Sequence, residues 1–242
     1  MRTERILIIC SMSTVLNSNL HGATMNNDLI SYYNDRAKEY EKIYSKPERQ
    51  TDLQKATTIL QLLFSGKTVL EIACGTGYWT EKIADTATSV HATDINESVI
   101  AIAKSKHYRT DVTFELADFY NLASDTKFET AFGGFIWSHI LLQDLDQFID
   151  NIKRFVAPDG AVVFMDNNYV QGSNHPVAKT DERGNTYQIR KLENGTSHSV
   201  LKNFPTEEFV VNKLSRVASE INFVNLPHYW IVSFKPTDSN SA

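Results

Sequence analysis

Apolar positions along this chain switch between two spacings, and the switching outlines a fold. Residues 68–72 are apolar or β-branched except for Glu71, which predicts a buried strand with one anomalous acid. Just upstream, Leu53, Ala56, Leu60, Leu63 and Phe64 recur at helical spacing, with Pro47 near the start and Ser65-Gly66 as the stop. The alternation continues with a helix over 79–84, a strand over 89–93 and a helix capped by Asn96. That helix buries Val99, Ile100, Ile102 and Ala103. Strands follow over 112–116 and 128–137, the second interrupted by Gly133-Gly134, a pair that suggests close packing or close ligand approach. A strongly amphipathic helix spans 141–156, and Pro158-Asp159-Gly160 turns the chain into a fifth strand over 161–165. Strands alternating with helices imply a parallel sheet joined by right-handed crossovers.

The pattern changes after Asp166. Residues 167–204 lack a helical period, and 186–190 and 197–201 alternate on either side of Glu193-Asn194-Gly195, which predicts a hairpin. This segment reads as an insertion at the ligand end of the sheet. Thr206 opens a helix through Val217, and strands over 223–226 and 229–234 are close enough to pair antiparallel. At the other end, 26–44 has Ile30, Tyr33, Ala37, Tyr40 and Tyr44 on one helical face. Such a helix either packs its tyrosines on the core or forms a lid with Arg36 facing a ligand carboxylate. Residues 1–24 are expected to be a disordered or loosely packed extension, 25–235 the domain, and 236–242 a polar tail.

Composition narrows the class. In 242 residues, 42% are hydrophobic and 22% charged, an ordinary globular mix. The net charge of −5 argues against a nucleic-acid partner, which normally meets a strong positive field. No run approaches a membrane span, so no membrane partner is expected. Two cysteines, Cys10 and Cys74, provide neither a disulfide framework nor a zinc spacing; no metal is expected, and the compartment is expected to be the cytoplasm.

The chemistry centres on 68–80, TVLEIACGTGYWT: strand, glycine turn, helix. An open parallel sheet binds ligand beyond the C-terminal ends of its strands, where strand order reverses. Glu71 through Gly77, Asp94, Asp118 and Trp137-Ser138-His139 all fall at such ends. An acid ending the second strand accepts ribose hydroxyls, a need shared by every ribose-containing cofactor including NAD. Two residues separate the candidates. Bulky Trp79 and Thr80 stand where a dinucleotide fingerprint wants a small residue, and Glu71 would repel a pyrophosphate while welcoming an ammonium or sulfonium group.

Val69-Leu70-Glu71-Ile72-Ala73-Cys74-Gly75-Thr76-Gly77 resembles the glycine motif of class I S-adenosylmethionine-dependent methyltransferases, with Asp94 and Asp118-Phe119 where that family places its ribose and adenine contacts. The resemblance implies an α/β Rossmann-like fold: a seven-stranded, mostly parallel sheet flanked by helices, its last strand antiparallel, here with a hairpin-containing insertion after the fifth strand. It implies S-adenosyl-L-methionine as methyl donor. Gly75 and Gly77 would cradle its amino-acid end and Glu71 would support its ammonium. Asp94 would hold the ribose, Ile95 and Phe119 would pack on the adenine, and Asp118 would bond the exocyclic amine. Arg36, Ala73, Thr76 and Trp137 complete the expected cofactor contacts.

Methyl transfer from a sulfonium is an in-line displacement that needs no metal, and a base only where the acceptor must lose a proton. His139, after the fourth strand, is the candidate base; the alternative is a pocket-lining, structurally bonded histidine. Enzymes of this kind that methylate nucleic-acid base amines carry an acid or Asn followed by Pro-Pro and an aromatic there, whereas this chain has Phe135-Ile136-Trp137-Ser138-His139. A small-molecule acceptor is therefore expected, with Asn167, Asn168, Tyr169, His175, Tyr187 and Arg190 of the insertion as candidate contacts. Two other readings stay open: a non-catalytic protein that binds the cofactor or its demethylated product, and an NAD-linked oxidoreductase.

Overall fold

The computed structural model describes residues 32–33, 36–122 and 125–237. The expectation for residues 1–24, and that for the tail beyond Thr237, fall outside the described residues. Helix α1 (Gln50–Phe64) leads into β1 (Thr68–Ile72), α2 (Tyr78–Ala84), β2 (Ser89–Asp94), α3 (Glu97–Lys104), β3 (Asp111–Leu116), β4 (Phe128–Gly134), α4 (Leu145–Lys153) and β5 (Val156–Asn167). The insertion supplies β6 (Lys179–Thr180), β7 (Thr186–Lys191) and β8 (Ser197–Leu201), and α5 (Glu207–Leu214), β9 (Ala218–Asn225) and β10 (Tyr229–Pro236) complete the chain.

Seven strands form one sheet in the order β3-β2-β1-β4-β5-β10-β9, and β6-β7-β8 form a second. β1 through β5 pair in parallel, and β10 is antiparallel to both β5 and β9. Strand order reverses between β1 and β4, which leaves a crevice beyond their C-terminal ends. Because side chains alternate along a strand, β1 feeds two cores. Leu70 and Ile72 pack with Phe148, Ile149, Val210 and Trp230 on one face, while Val69 packs with Leu60, Trp79 and Ile83 on the other. Glu71 shares the face of Val69.

Several expected boundaries move. β4 stops at Gly134, not Trp137, because Phe135 takes a left-handed φ of +61° and 137–139 curl into a 3-10 turn. Packing explains the glycine pair: a Cβ on Gly133 would lie 2.9 Å from the Phe164 ring, and one on Gly134 equally close to Phe132. The expected helix over 141–156 divides into a 3-10 turn (Leu142–Asp144) and α4, and Val156 already pairs with Phe128 as the start of β5. The Pro158-Asp159-Gly160 turn lies inside the β5 span, where pairing jumps from Phe128–Val156 to Thr130–Ala161. Asn96 stands at the cap of α3 without a side-chain capping bond. The segment over 37–45 is 3-10 rather than α-helical. α5 ends at Leu214, short of Val217. Pro236, assigned to the polar tail, pairs with Ala218 as the end of β10.

The insertion is fastened to the strand ends by polar bonds. The Asn203 amide donates to the Ser138 carbonyl at 2.8 Å, and the Lys202 ammonium reaches Asp166 at 2.8 Å and the Ser138 hydroxyl at 2.6 Å. The insertion is thereby held over the ends of β4 and β5.

Candidate active site

Three of the five residues after β1 adopt left-handed backbone: Ala73 (φ +53°), Gly75 (+57°) and Gly77 (+78°). This curls the chain back on itself, the Cys74 amide donating to the Thr93 carbonyl and the Gly77 amide to the Cys74 carbonyl, a shape that glycine permits and that costs Ala73 roughly 1–3 kcal/mol. Gly77 is required twice over, since a Cβ there would press on Ala103 of α3 at 3.0 Å.

The turn is locked to β2 through one carboxylate. Asp94 Oδ2 accepts the Gly75 amide and Oδ1 the Asn96 amide, both at 2.9 Å, while the Asp94 carbonyl accepts the Ala117 amide. The Ile95 amide and the Asn96 side chain also bond this carboxylate, which lines the crevice. Burial pushes the Asp94 carboxyl upward, and the amide bonds work against that shift. Asp118 caps the turn after β3, accepting from the Tyr120 amide and the Asn121 side chain. It also borders the crevice together with Ile95, Phe119 and Val99.

Glu71 is the electrostatic anomaly. Its side chain is buried, Oε2 has no hydrogen-bond partner among the described residues, and burial raises the carboxyl to about 8. Asp94 adds to the shift; the adjacent Thr80 hydroxyl opposes it without completing a hydrogen bond. An orphaned buried acid beside a glycine turn fits a cationic ligand group and disfavours a pyrophosphate.

The tyrosine segment covers the crevice. Tyr44 stacks on Tyr78 at 3.8 Å and accepts from the Trp79 indole at 3.1 Å, so Trp79 serves as an anchor for this cover. Glu41 accepts from the Thr76 hydroxyl at 2.7 Å and ion-pairs with Lys106. Tyr33 and Tyr40 line the crevice opposite Gly75 and Asp94. His139 sits at its inner end. Its Nδ1 lies 2.6 Å from the Leu201 carbonyl, which only accepts, so Nδ1 carries the hydrogen and Nε2 accepts from the Tyr33 hydroxyl at 2.7 Å. Burial, then the charges of Lys202 and Arg190, hold the imidazole pKa well below the usual histidine range, so the ring is neutral at pH 7.

The expected cofactor residues thus separate by place. Ala73, Gly75, Asp94, Ile95, Asp118 and Phe119 line the crevice, as does His139. Glu71 lies buried beneath it, Gly77 serves helix packing, and Thr76 turns to Glu41. Two placements correct the expectation. Trp137 is wedged between Phe164 and Trp230 in the core, because the 3-10 turn after Gly134 points it away from the crevice. Arg36 lies over the Tyr32 and Tyr40 rings and lines a neighbouring cavity under the insertion. Asn167, His175 and Arg190 line that cavity too. Asn168 is spent on carbonyls of 226 and 229, Tyr169 packs on Phe204, and Tyr187 bonds Asp181. Lys46, Arg49 and Lys202 share the cavity and escape a sequence reading, since nothing local distinguishes them from surface cations. Among the described residues, no helix is long and apolar enough to cross a membrane, and no group of three or more His, Cys, Asp or Glu side chains is placed to hold a metal.

Comparison with known proteins agrees with this geometry. A family model described as a methyltransferase domain matches residues 69–160. Malonyl-[acyl-carrier protein] O-methyltransferase of Bacillus anthracis is 33% identical over 100 residues, 40% of this chain and 36% of that protein, so the match spans about a third of the curated relative's length. A solved structure described as a DhpI–SAH complex superposes with a TM-score of 0.72 at 26% identity, over 86% of this chain and 95% of that one. The N-methyltransferase NodS of Bradyrhizobium japonicum, at 15% identity and a TM-score of 0.60 over 88% of this chain and all of its own, shares the fold. Residues 69–160 thus carry a methyltransferase domain, and the chain shares its fold with solved S-adenosylmethionine-dependent methyltransferases.

Proposed function

We propose that this protein transfers a methyl group from S-adenosyl-L-methionine to a small-molecule acceptor. The observation that carries the proposal is the orphaned Glu71 carboxylate beside a turn whose Gly75 amide is bonded to Asp94. When bound, the cofactor supplies an electrophilic methyl group on a sulfonium sulfur. Glu71 supports its ammonium end, and Asp94, on the crevice wall, accepts its ribose hydroxyls. Ile95, Val99 and Phe119 give the adenine an apolar slot, and Asp118 stands at its edge. Tyr33 and Tyr40 line the slot and exclude water from the reacting region, which also orients the acceptor. An NAD-linked reaction is disfavoured by the same residues, because Glu71 opposes a pyrophosphate and Trp79 is committed to Tyr44.

Calorimetric titration with S-adenosylhomocysteine and NAD tests this directly. The demethylated cofactor is expected to bind, and NAD to bind weakly or not at all; the reverse result overturns the proposal. Binding without turnover across a broad acceptor panel favours the non-catalytic alternative. Asp94→Ala is expected to weaken cofactor binding by about 10- to 100-fold, the worth of one or two charge-assisted hydrogen bonds.

His139 acts in this reading as a positioning residue that fixes the Tyr33 hydroxyl at the edge of the crevice. A neutral ring already bonded at both nitrogens is poorly placed to take a proton. kcat at saturating substrates is therefore expected to stay level across roughly pH 6 to 8. An inflection in that window, lost in His139→Gln, would make the histidine a base after all.

A further inference from the structure

A second cavity adjoins the cofactor crevice beneath the insertion; Tyr33, Tyr40, Phe135 and His139 line both. Its walls carry five cations: Arg36, Lys46, Arg49, Arg190 and Lys202. Buried guanidinium groups are ordinarily matched by carboxylates, because an uncompensated buried charge is costly. That match is missing here. Arg190, 9% exposed, donates from Nε and Nη2 to the neutral Gln188 Oε1 at 3.2 and 2.9 Å, and Nη1 lies 3.5 Å from the Tyr32 hydroxyl. Arg49, 5% exposed, donates to the Ser173 hydroxyl and the Asn167 side-chain carbonyl, and Lys46 to the Ser173 backbone carbonyl. Asp166 is consumed by Lys202 at 2.8 Å. Exposed Glu48 accepts from the Ser173 hydroxyl and feels the charges of Lys46 and Arg49 without forming a salt bridge to either. Among the described residues, Arg36, Lys46, Arg49 and Arg190 form no salt bridge.

We propose that this cavity binds the methyl acceptor as a compact oxyanion, a carboxylate or a phosphorus oxyacid, and that the methyl group goes to one of the anion's own oxygens. The inference rests on the methyl-transfer reading and specifies its acceptor. Planar guanidinium forks match such anions with paired hydrogen bonds, and the missing counter-charge is then supplied by substrate. An oxygen of the anion forms the new O–C bond as the donor's S–C bond breaks, with that electron pair left on sulfur. The anion loses one negative charge, the sulfonium loses its positive charge, and no proton moves. This explains why the junction of the two cavities holds a neutral, fully bonded histidine instead of a free base. The ester product carries less charge than the acid, so its hold on the cations weakens and release follows.

The test is calorimetry on the full chain with methylphosphonate and with succinate, each with and without S-adenosylhomocysteine, followed by mass spectrometry of the products formed with S-adenosylmethionine. At least one anion is expected to bind, and its methyl ester to bind about tenfold more weakly. Binding of one anion alone identifies its source as carboxylic or phosphorus acid. Arg190→Met is expected to weaken the anion about tenfold or more while cofactor affinity changes less than about twofold. Should that buried variant fail to fold, half-buried Arg36→Gln provides the same readout. Cofactor binding with no response to either anion, or a product methylated on carbon, overturns the proposal and leaves the methyltransferase reading standing. Anion binding without any cofactor binding overturns the methyltransferase reading, and the methylation step with it.

Discussion

Glu71→Gln is expected to make the protein more stable at alkaline pH and a poorer binder of its cofactor. Burial holds the folded-state carboxyl at about 8, against 4.5 for an unperturbed glutamate. Between those values the folded protein keeps a proton that the unfolded chain has released. Raising the pH therefore favours unfolding, by at most about 1.4 kcal/mol per pH unit from this group. Glutamine has no proton to lose, so thermal unfolding of the two proteins should diverge steadily from about pH 5 to pH 8, the wild type falling behind. Binding runs the other way. An ammonium placed against Glu71 favours its ionised form, so cofactor binding to the wild type releases a proton and strengthens as pH rises toward about 8. The variant should bind about tenfold or more weakly, with no such pH trend. Calorimetry in two buffers of different ionisation enthalpy measures the proton release. Parallel unfolding curves for the two proteins would show that Glu71 is already ionised in the fold.

Lys202→Met should produce the largest loss of stability. The Lys202–Asp166 pair is buried on both sides, and Asp166 also accepts the Ser138 and Asn167 amides. Methionine fills much of the lysine volume but leaves the carboxylate without its counter-ion, a change that costs about 3–5 kcal/mol. In a chain of this size each kcal/mol lowers Tm by about 2–4 °C, so a drop of roughly 6–20 °C is expected. The burden lies in the stranded charge rather than in the lost attraction. The double variant Lys202→Met, Asp166→Asn should accordingly recover a large part of the loss, which a double-mutant cycle would read. A Tm within about one degree of wild type in the single variant would mean that water or another cation reaches Asp166.

The pair also shows where a reading of the chain stops. Lys202 and Asp166 stand far apart in sequence, and neither has a local pattern that marks it as buried. Only the docking of the insertion on the ends of β4 and β5 brings them within 2.8 Å. Arg49 and Arg190 are alike in this respect. Each is an ordinary cation in its own segment, and they become partners in one cavity because 3-10 turns, the tyrosine cover and the second sheet converge there. Trp137 failed for a related reason. The strand was expected to continue through it, but the left-handed Phe135 rotates the chain and sends the indole into the core.

What local chemistry governs was legible beforehand. Period and turn residues located β1, the glycine turn, the acid at the end of β2 and the hairpin of the insertion, because each depends on backbone preference or on a one-sided apolar face within a few residues. Glu71 was conspicuous for the same reason, as a charge inside an apolar run. The sequence by itself thus determined the fold class and which residues of β1, β2 and β3 end at the crevice. The tertiary structure alone decided the second, cation-lined cavity. Its charge, its burial and the neutrality of His139 come from residues on separate elements, and their energies exist only once those elements are packed together.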